Sequence, residues 1–451
     1  MMPDSTRRLP PEVLAACFTF LDLGELVSAS HVSQSWRTAA LSFPALWSNI
    51  VIFARLGTSG RLLHMAVSRA GQLPLDVEYT QISPMPTQSM LKAVGQYFPR
   101  FRSFKWTCYP GYIDLSLPAP LLREFCCSEW MCSIPQDFLG GRAGALRTLH
   151  LDDAVFPETC PALARVTDLR ARYPEFADEG GRLLHIFDLC PRLEVLRLRD
   201  LDGVPGRELP AGPAPRTLRK VTLDAWTSCD LLLLYAVWEL EAVADVQLRM
   251  PLGASLRIAP FIGGAVELSV LFDGDRDAVH ITAELPDART RKVTCDDVGD
   301  PVATLAEMLR DGAALSHMQT LSVPLGVLGR ALAGAHHWPA LSHLIVHIYA
   351  DDMHPDGAPR SSWAHLNCLR SAPALESLAL HIQTHSMVTV DDARNLREHL
   401  STLTGCIPRE VQVYGFPRAV VREMRANDDD GPRILFSEFS SFSDGTLDAQ
   451  I

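Results

Sequence analysis

Apolar side chains in the first fifty residues recur at helical spacing. In the run Leu9-Pro10-Pro11-Glu12-Val13-Leu14-Ala15-Ala16-Cys17-Phe18-Thr19-Phe20-Leu21, the positions Val13, Leu14, Cys17, Phe18 and Leu21 step by three or four. Proline suits a first helical turn, and Glu12 there complements the helix dipole. The pattern predicts a first helix over this run, a second over Leu23–Ser30 with Leu23, Leu26 and Val27 inward, and a third over Val32–Leu41 carrying Trp36-Arg37. Pro44 ends the third helix, and Leu46-Trp47-Ser48-Asn49-Ile50 follows. Three helices in about forty residues bury too little surface to stand alone, so they must lean on the rest of the chain, on a partner, or on both.

Beyond residue 60 the period changes. A short apolar helix, a proline and a Leu-x-x-Leu-x-Leu strand recur, as in Leu183–Leu198, Leu366–Leu380 and the run ending Trp338–Val346. The proline stops the helix and pushes the preceding residue into extended backbone, and the alternation after it marks a strand buried on one face. Strand anchors fall at Leu149, Val166, Leu196, Val221, Val246, Leu268, Val293, Leu321, Leu344, Leu378 and Val411, an average spacing of about 26 residues. The expected fold class is α/β: a three-helix N-terminal unit followed by an irregular leucine-rich-repeat-like solenoid without an asparagine ladder. The competing arrangement is an ordinary α/β domain with crossover helices. The pattern divides the chain into a flexible lead at 1–8, the helical unit at 9–50, a connecting helix and first strand at 51–80, the repeat region at 81–425, and an acidic, loose tail at 426–451 opened by Asp428-Asp429-Asp430-Gly431.

The opening Leu-Pro-x-Glu-apolar-Leu, the following Phe-x-Phe-Leu-Asp-Leu-x-acid-Leu, then Val-Ser-x-x-Trp-Arg and Pro-x-Leu-Trp together resemble the F-box family over residues 9–50. Cys17 stands where that family more often has Ile, and it is still apolar. With the repeat-like region behind it, the chain is similar to fungal F-box proteins with degenerate leucine-rich repeats. The resemblance implies a bundle that docks on a Skp-type adaptor and, through it, on a cullin–RING ubiquitin ligase. By the same resemblance Leu9, Pro10, Glu12, Val13 and Leu14 contact or shape the adaptor surface, Trp36 belongs to that interface, and Trp47 to the seam with the next unit. The implied function is that of a substrate-receptor subunit, with a non-ligase repeat scaffold for protein–protein interaction as the alternative.

Charge and composition narrow the partners. Forty-one basic against 53 acidic side chains leave a net of −12. Nucleic acid and anionic membranes both require a basic footprint, so neither is expected as a partner. No run approaches the 20 or so apolar residues of a membrane span, and 11 dilute cysteines fit a reducing compartment, cytoplasmic or nuclear. If the strands form as predicted, the residues between the anchors line one open face. Its candidate target-binding positions are His150, Asp152, Arg197, Arg199, Asp224, Arg249, His347 and His381, with an ion ladder running through Arg197, Asp224 and Arg249. His343 and His347, four apart on a strand, stand about 13 Å apart and cannot share a metal ion, and the same holds for His381 and His385. His347 and His381 are expected side by side across neighbouring strands. No nucleophile elbow, zincin helix or phosphate loop occurs in the chain. The expectation is therefore a non-catalytic chain with no cofactor and no metal.

Overall fold

The computed structural model describes residues 9–54, 59–81, 86–107, 113–128, 132–152, 154–172, 185–201, 210, 212–225, 231–251, 259–273, 278–296, 316–332, 338–349, 362–383, 389–403, 407–408, 410–425 and 433–438. The chain is mixed α/β, with N-terminal helices followed by sheet. It divides into a unit of residues 1–229 with 236–240, and a unit of residues 230–235 with 241–451.

The first unit opens with three helices, α1 (Pro11–Phe18), α2 (Leu23–Ala29) and α3 (Gln34–Ser42). Pro11 sits in the first turn of α1. Asp22 and Glu25 form a reciprocal capping box on α2, and Ser33 caps α3 by accepting from the Trp36 amide. Leu14, Ala15 and Phe18 of α1 are buried, as are Leu23 and Leu26 of α2 and Ala39 and Ala40 of α3. The eight remaining elements that matter here are strands β1 (Asn49–Ala54), β2 (Leu75–Gln81), β3 (Phe101–Thr107), β4 (Glu124–Cys127), then, beyond the small β5 (Cys132–Ser133), β6 (Thr148–Leu151), and, beyond β7 (Ala154–Val155), β8 (Asp168–Arg172), β9 (Val195–Arg199) and β10 (Lys220–Asp224). Apart from the separate β5–β7 pair, they hydrogen-bond in parallel and in chain order.

Register aligns their buried positions into a continuous row: Ile50, Val77, Phe104, Phe125, Leu149, Leu169, Leu196 and Val221. A second row runs Ile52, Tyr79, Trp106, Cys127, Leu151, Ala171, Leu198 and Leu223, with Tyr79 stacked on Trp106 at 4.5 Å between ring centres. Val166, expected as a strand anchor, is buried in the turn before β8, and Leu169 holds the ladder position. The slip arises because Pro161 starts a short 3-10 turn whose own apolar residues mimic the strand pattern.

In the second unit the pairing order changes. Strands β11 (Asp245–Pro251), β12 (Glu267–Asp273), β13 (Ala278–Glu284) and β14 (Thr290–Asp296) are not laid down in sequence. β12, β13 and β14 form an antiparallel meander, so β11 pairs with β14 and β12 goes on to pair with β15 (Thr320–Pro324). Parallel pairing in chain order then resumes through β16 (His343–Tyr349), β17 (Ser377–Gln383), β18 (Glu410–Phe416) and β19 (Arg433–Glu438). β19 corrects the expectation of a wholly loose tail after residue 426, because Arg433–Glu438 pairs with β18 over its length. The sheet bulges at Gly415, whose positive φ of 96° and close approach to the Ile382 carbonyl leave no room for a Cβ.

The buried row of this unit runs Val246, Arg291, Ala283, Leu268, Leu321, Leu344, Leu378, Val411 and Ile434. A guanidinium in this row demands internal partners. Arg291 donates to the carbonyls of Glu241 at 2.8 Å, Val243 at 2.9 Å and Thr290 at 3.0 Å, and to the Tyr235 hydroxyl at 3.3 Å. It therefore clamps the chain that leads into β11. Replacing Arg291 with Leu strands those buried acceptors and is expected to lower the unfolding free energy by about 3 kcal/mol or more, read by urea denaturation. An unchanged denaturation midpoint would contradict this role.

Candidate protein-interaction surfaces

The helical unit presents apolar side chains that its own packing leaves uncovered. Val13 and Cys17, four apart on α1, point away from the buried Leu14, Ala15 and Phe18. Val13 is 45% exposed, Leu9 just before the helix 43%, and Phe20 just after it 88%. Pro10 and Glu12 are also exposed. Leu14, at 4% exposure, is a core residue, so among the five opening positions it shapes the bundle and has no surface to offer a partner. Adjacent apolar residues on a helix lie about 100° apart, and the sequence does not say which of Val13 and Leu14 faces in. Trp36 is half-buried, with its ring 5.3 Å from Phe18. Trp47 is fully buried, donates its indole N–H to the Ala40 carbonyl at 2.8 Å, and carries the guanidinium of Arg69 4.2 Å above its ring. Arg69 ends α4 (Ser59–Arg69), so Trp47 lies where the bundle meets the first helix of the sheet region.

The open face of the first unit consists of the residues between the buried rows. One line across it reads Val51, Glu78, Lys105, Cys126, His150, Arg170, Arg197 and Thr222. Ion pairs cross it, among them Arg102–Asp76, Lys105–Glu124 at 3.6 Å, Arg170–Asp168 at 3.5 Å and Arg172–Asp200. Each such exposed pair contributes about 0–1 kcal/mol. His150, beside Cys126 in register, has its pKa lowered by burial and by Arg170, while burial pushes the Cys126 thiol up. Both shifts disfavour a thiolate–imidazolium pair. Asp224 ends β10 on the open face, and Asp152 follows β6 with its amide donating to the Cys127 carbonyl at 3.0 Å.

On the second unit, the Arg249 guanidinium binds Asp296 of β14 through Nε at 2.8 Å and Nη2 at 3.2 Å, because the meander makes β14 a neighbour of β11. His347 and His381 do lie opposite each other in β16 and β17, with ring centres 5.4 Å apart and edge to face. His381 packs in turn against Tyr414 at 4.9 Å. Neither nitrogen of His347 points to a metal: the Gln383 amide nitrogen donates to Nδ1 at 2.9 Å, leaving Nε2–H to donate to Ser322 Oγ at 2.8 Å. Among the described residues no group of three or more His, Cys, Asp or Glu is placed to hold a metal ion. His385 lies outside the described residues. A shallow hollow of about 340 Å³ opens over Ser377 and Ala379, bordered by Thr320, Ile345, His381 and Tyr414. The short side chains of β17 create it, a feature that anchor spacing does not reveal.

Burial, with His381 alongside, holds His347 down to about 4, so it is neutral in the folded protein above that pH. The unfolded chain takes up the proton near the ordinary 6.5, so stability is lost as pH falls from about 6.5 to 4. The expected loss is about 3 kcal/mol when complete. His347→Gln should lack this component, and denaturation of both proteins across that window measures the difference; equal pH profiles would contradict the assignment.

Comparison with known proteins places a family on the bundle just described. Residues 6–53 match the F-box-like family model, while a search of curated proteins finds no match. The matched segment holds α1 to α3, Trp47 and most of β1. The chain thus carries an F-box-like domain in residues 6–53.

Proposed function

We propose that this protein is a substrate-receptor subunit of a Skp–cullin–F-box ubiquitin ligase, built on an irregular leucine-rich-repeat-like solenoid. The observation that carries the reading is the F-box-like match together with the uncovered apolar stripe on the same helices. An F-box-like domain suggests binding to a Skp-type adaptor, and Leu9, Val13 and Phe20 supply the apolar contact such docking uses. Within each unit, parallel strands stacked in register by a buried apolar row support the repeat-like architecture, with the β12–β14 meander as an insertion.

The mechanism is positional. One end holds the adaptor and the open faces hold a target protein, which raises the effective concentration of target lysines near the ubiquitin-loaded enzyme. No chemistry is assigned to this chain. Trp47, pinned by Ala40 and Arg69, ties the bundle to the first turn of the sheet region, so a docked adaptor is joined to that region rather than tethered loosely to it.

Co-purification with the Skp-type adaptor tests this. Wild type should retain adaptor and cullin, while Leu9→Ala with Pro10→Ala should lose both. Val13→Asp should weaken adaptor binding by about tenfold to a hundredfold, since a buried apolar side chain contributes about 1.5–3 kcal/mol. Adaptor retained without cullin would favour a non-ligase scaffold. No adaptor at all would overturn the proposal.

A further inference from the structure

A solvated role does not account for the open face of β15 to β18. Exposed protein surface ordinarily carries charge at about a quarter to a third of its positions. Strands β15 to β18 carry one charge between them, Glu410 at the start of β18. Within this face β17 supplies a floor of short side chains, Ser377 and Ala379, under the hollow of about 340 Å³. Register sets Ile345 of β16 and Gln412 of β18 on opposite sides of Ala379, as two walls. The Tyr414 hydroxyl donates to Gln412 Oε1 at 2.5 Å, which ties its ring to one wall and keeps the Gln412 amide nitrogen as a donor there. His381, two residues beyond Ala379 on the same strand, closes one end, with its ring 4.9 Å from Tyr414. Burial keeps both His347 and His381 uncharged at neutral pH.

We propose that this hollow receives a tyrosine side chain of the bound target protein, an inference that rests on the target-face reading given above. Adjacent strands lie about 4.8 Å apart, so a ring standing over Ala379 meets both walls at ring-packing distance, about 4.5–7 Å between centres. The volume lies at the small end of ligand pockets, which run from about 300 to 1,000 Å³, and suits one large side chain rather than an extended ligand. Ile345 and Tyr414 cover the faces of the ring, and the phenol oxygen accepts from the Gln412 amide. Charged side chains fit poorly. A carboxylate finds no cation in the lining, and an ammonium or guanidinium gives up water without meeting a carboxylate there.

Saturation-transfer NMR on the purified full chain tests the proposal with four side-chain probes: p-cresol, toluene, n-butylammonium and propionate. p-Cresol should bind saturably, about threefold or more tighter than toluene and at least about tenfold tighter than either ion. Ala379→Leu fills the floor from the open side and should abolish p-cresol binding with little change in melting temperature. Ser377→Leu, at a half-buried position of the same floor, gives the same reading if the first variant unfolds. Lys105→Gln, on the other unit, should leave p-cresol binding intact. Absence of saturable p-cresol binding, toluene or either ion binding as tightly, or binding that survives the filled floor would overturn it. A displayed peptide library separates the two readings. Peptides selected on the wild-type chain should contain tyrosine and lose about tenfold in affinity on Ala379→Leu. Peptides that lack tyrosine and bind both proteins alike would preserve the target face and reject the hollow. If no peptide is selected, both readings fall.

Discussion

Strand register is the constraint on which the rest of the structure depends. Side chains alternate along a strand, so once Leu149, Leu169, Leu196 and Val221 align in one buried row, every intervening residue is committed to the opposite face. A slip of one residue in β8, β9 or β10 would bury a charge and expose a leucine. The aromatic residues Phe104, Phe125, Tyr79 and Trp106 fill the same two rows in β2 to β4. Function inherits this order: which charged residues are neighbours on the open face follows from which apolar residues are neighbours beneath it.

The two units use the same device with different surfaces. On the first, the exposed lines are ionic, with Arg170, Arg172, Arg197 and Arg199 interspersed with Asp168 and Asp200. On the second, strands β15 to β18 carry one charged side chain, Glu410, and are partly aromatic, with His347, His381 and Tyr414 packed edge to face beside the short side chains of β17. Burial keeps His347 neutral and lowers the pKa of His381. A polypeptide held by the first face meets charges, and one held by the second meets ring edges and hydroxyls.

Much of this was legible in the sequence because it depends on local pattern. The three N-terminal helices are set by Pro11, the Asp22–Glu25 box and Ser33, all signals carried within four residues. Anchors such as Leu196, Leu344 and Leu378 sit in strict alternation, and their strands formed where expected. What the sequence concealed was long-range. Nothing local distinguishes Leu14 from Val13 as the inward residue. Arg291 has a side chain that reads as polar, yet it is buried because the carbonyls of Glu241 and Val243, some fifty positions earlier, converge on it. The β12–β14 meander places Asp296 beside Arg249, a pairing that spacing alone does not reveal. β3 and β4 were missed because their buried positions are aromatic and cysteine rather than leucine.

The proposed reading assigns two kinds of surface to the chain: the exposed apolar side chains of the F-box-like helices to an adaptor, and the polar sheet faces to a target. Amide hydrogen exchange of the full chain, with and without the purified Skp-type adaptor, tests that separation most directly. Adaptor should slow exchange in α1 to α3, residues 11–42, and leave β6 to β10 unchanged. Protection concentrated on β6 to β10, with the helices unaffected, would contradict it.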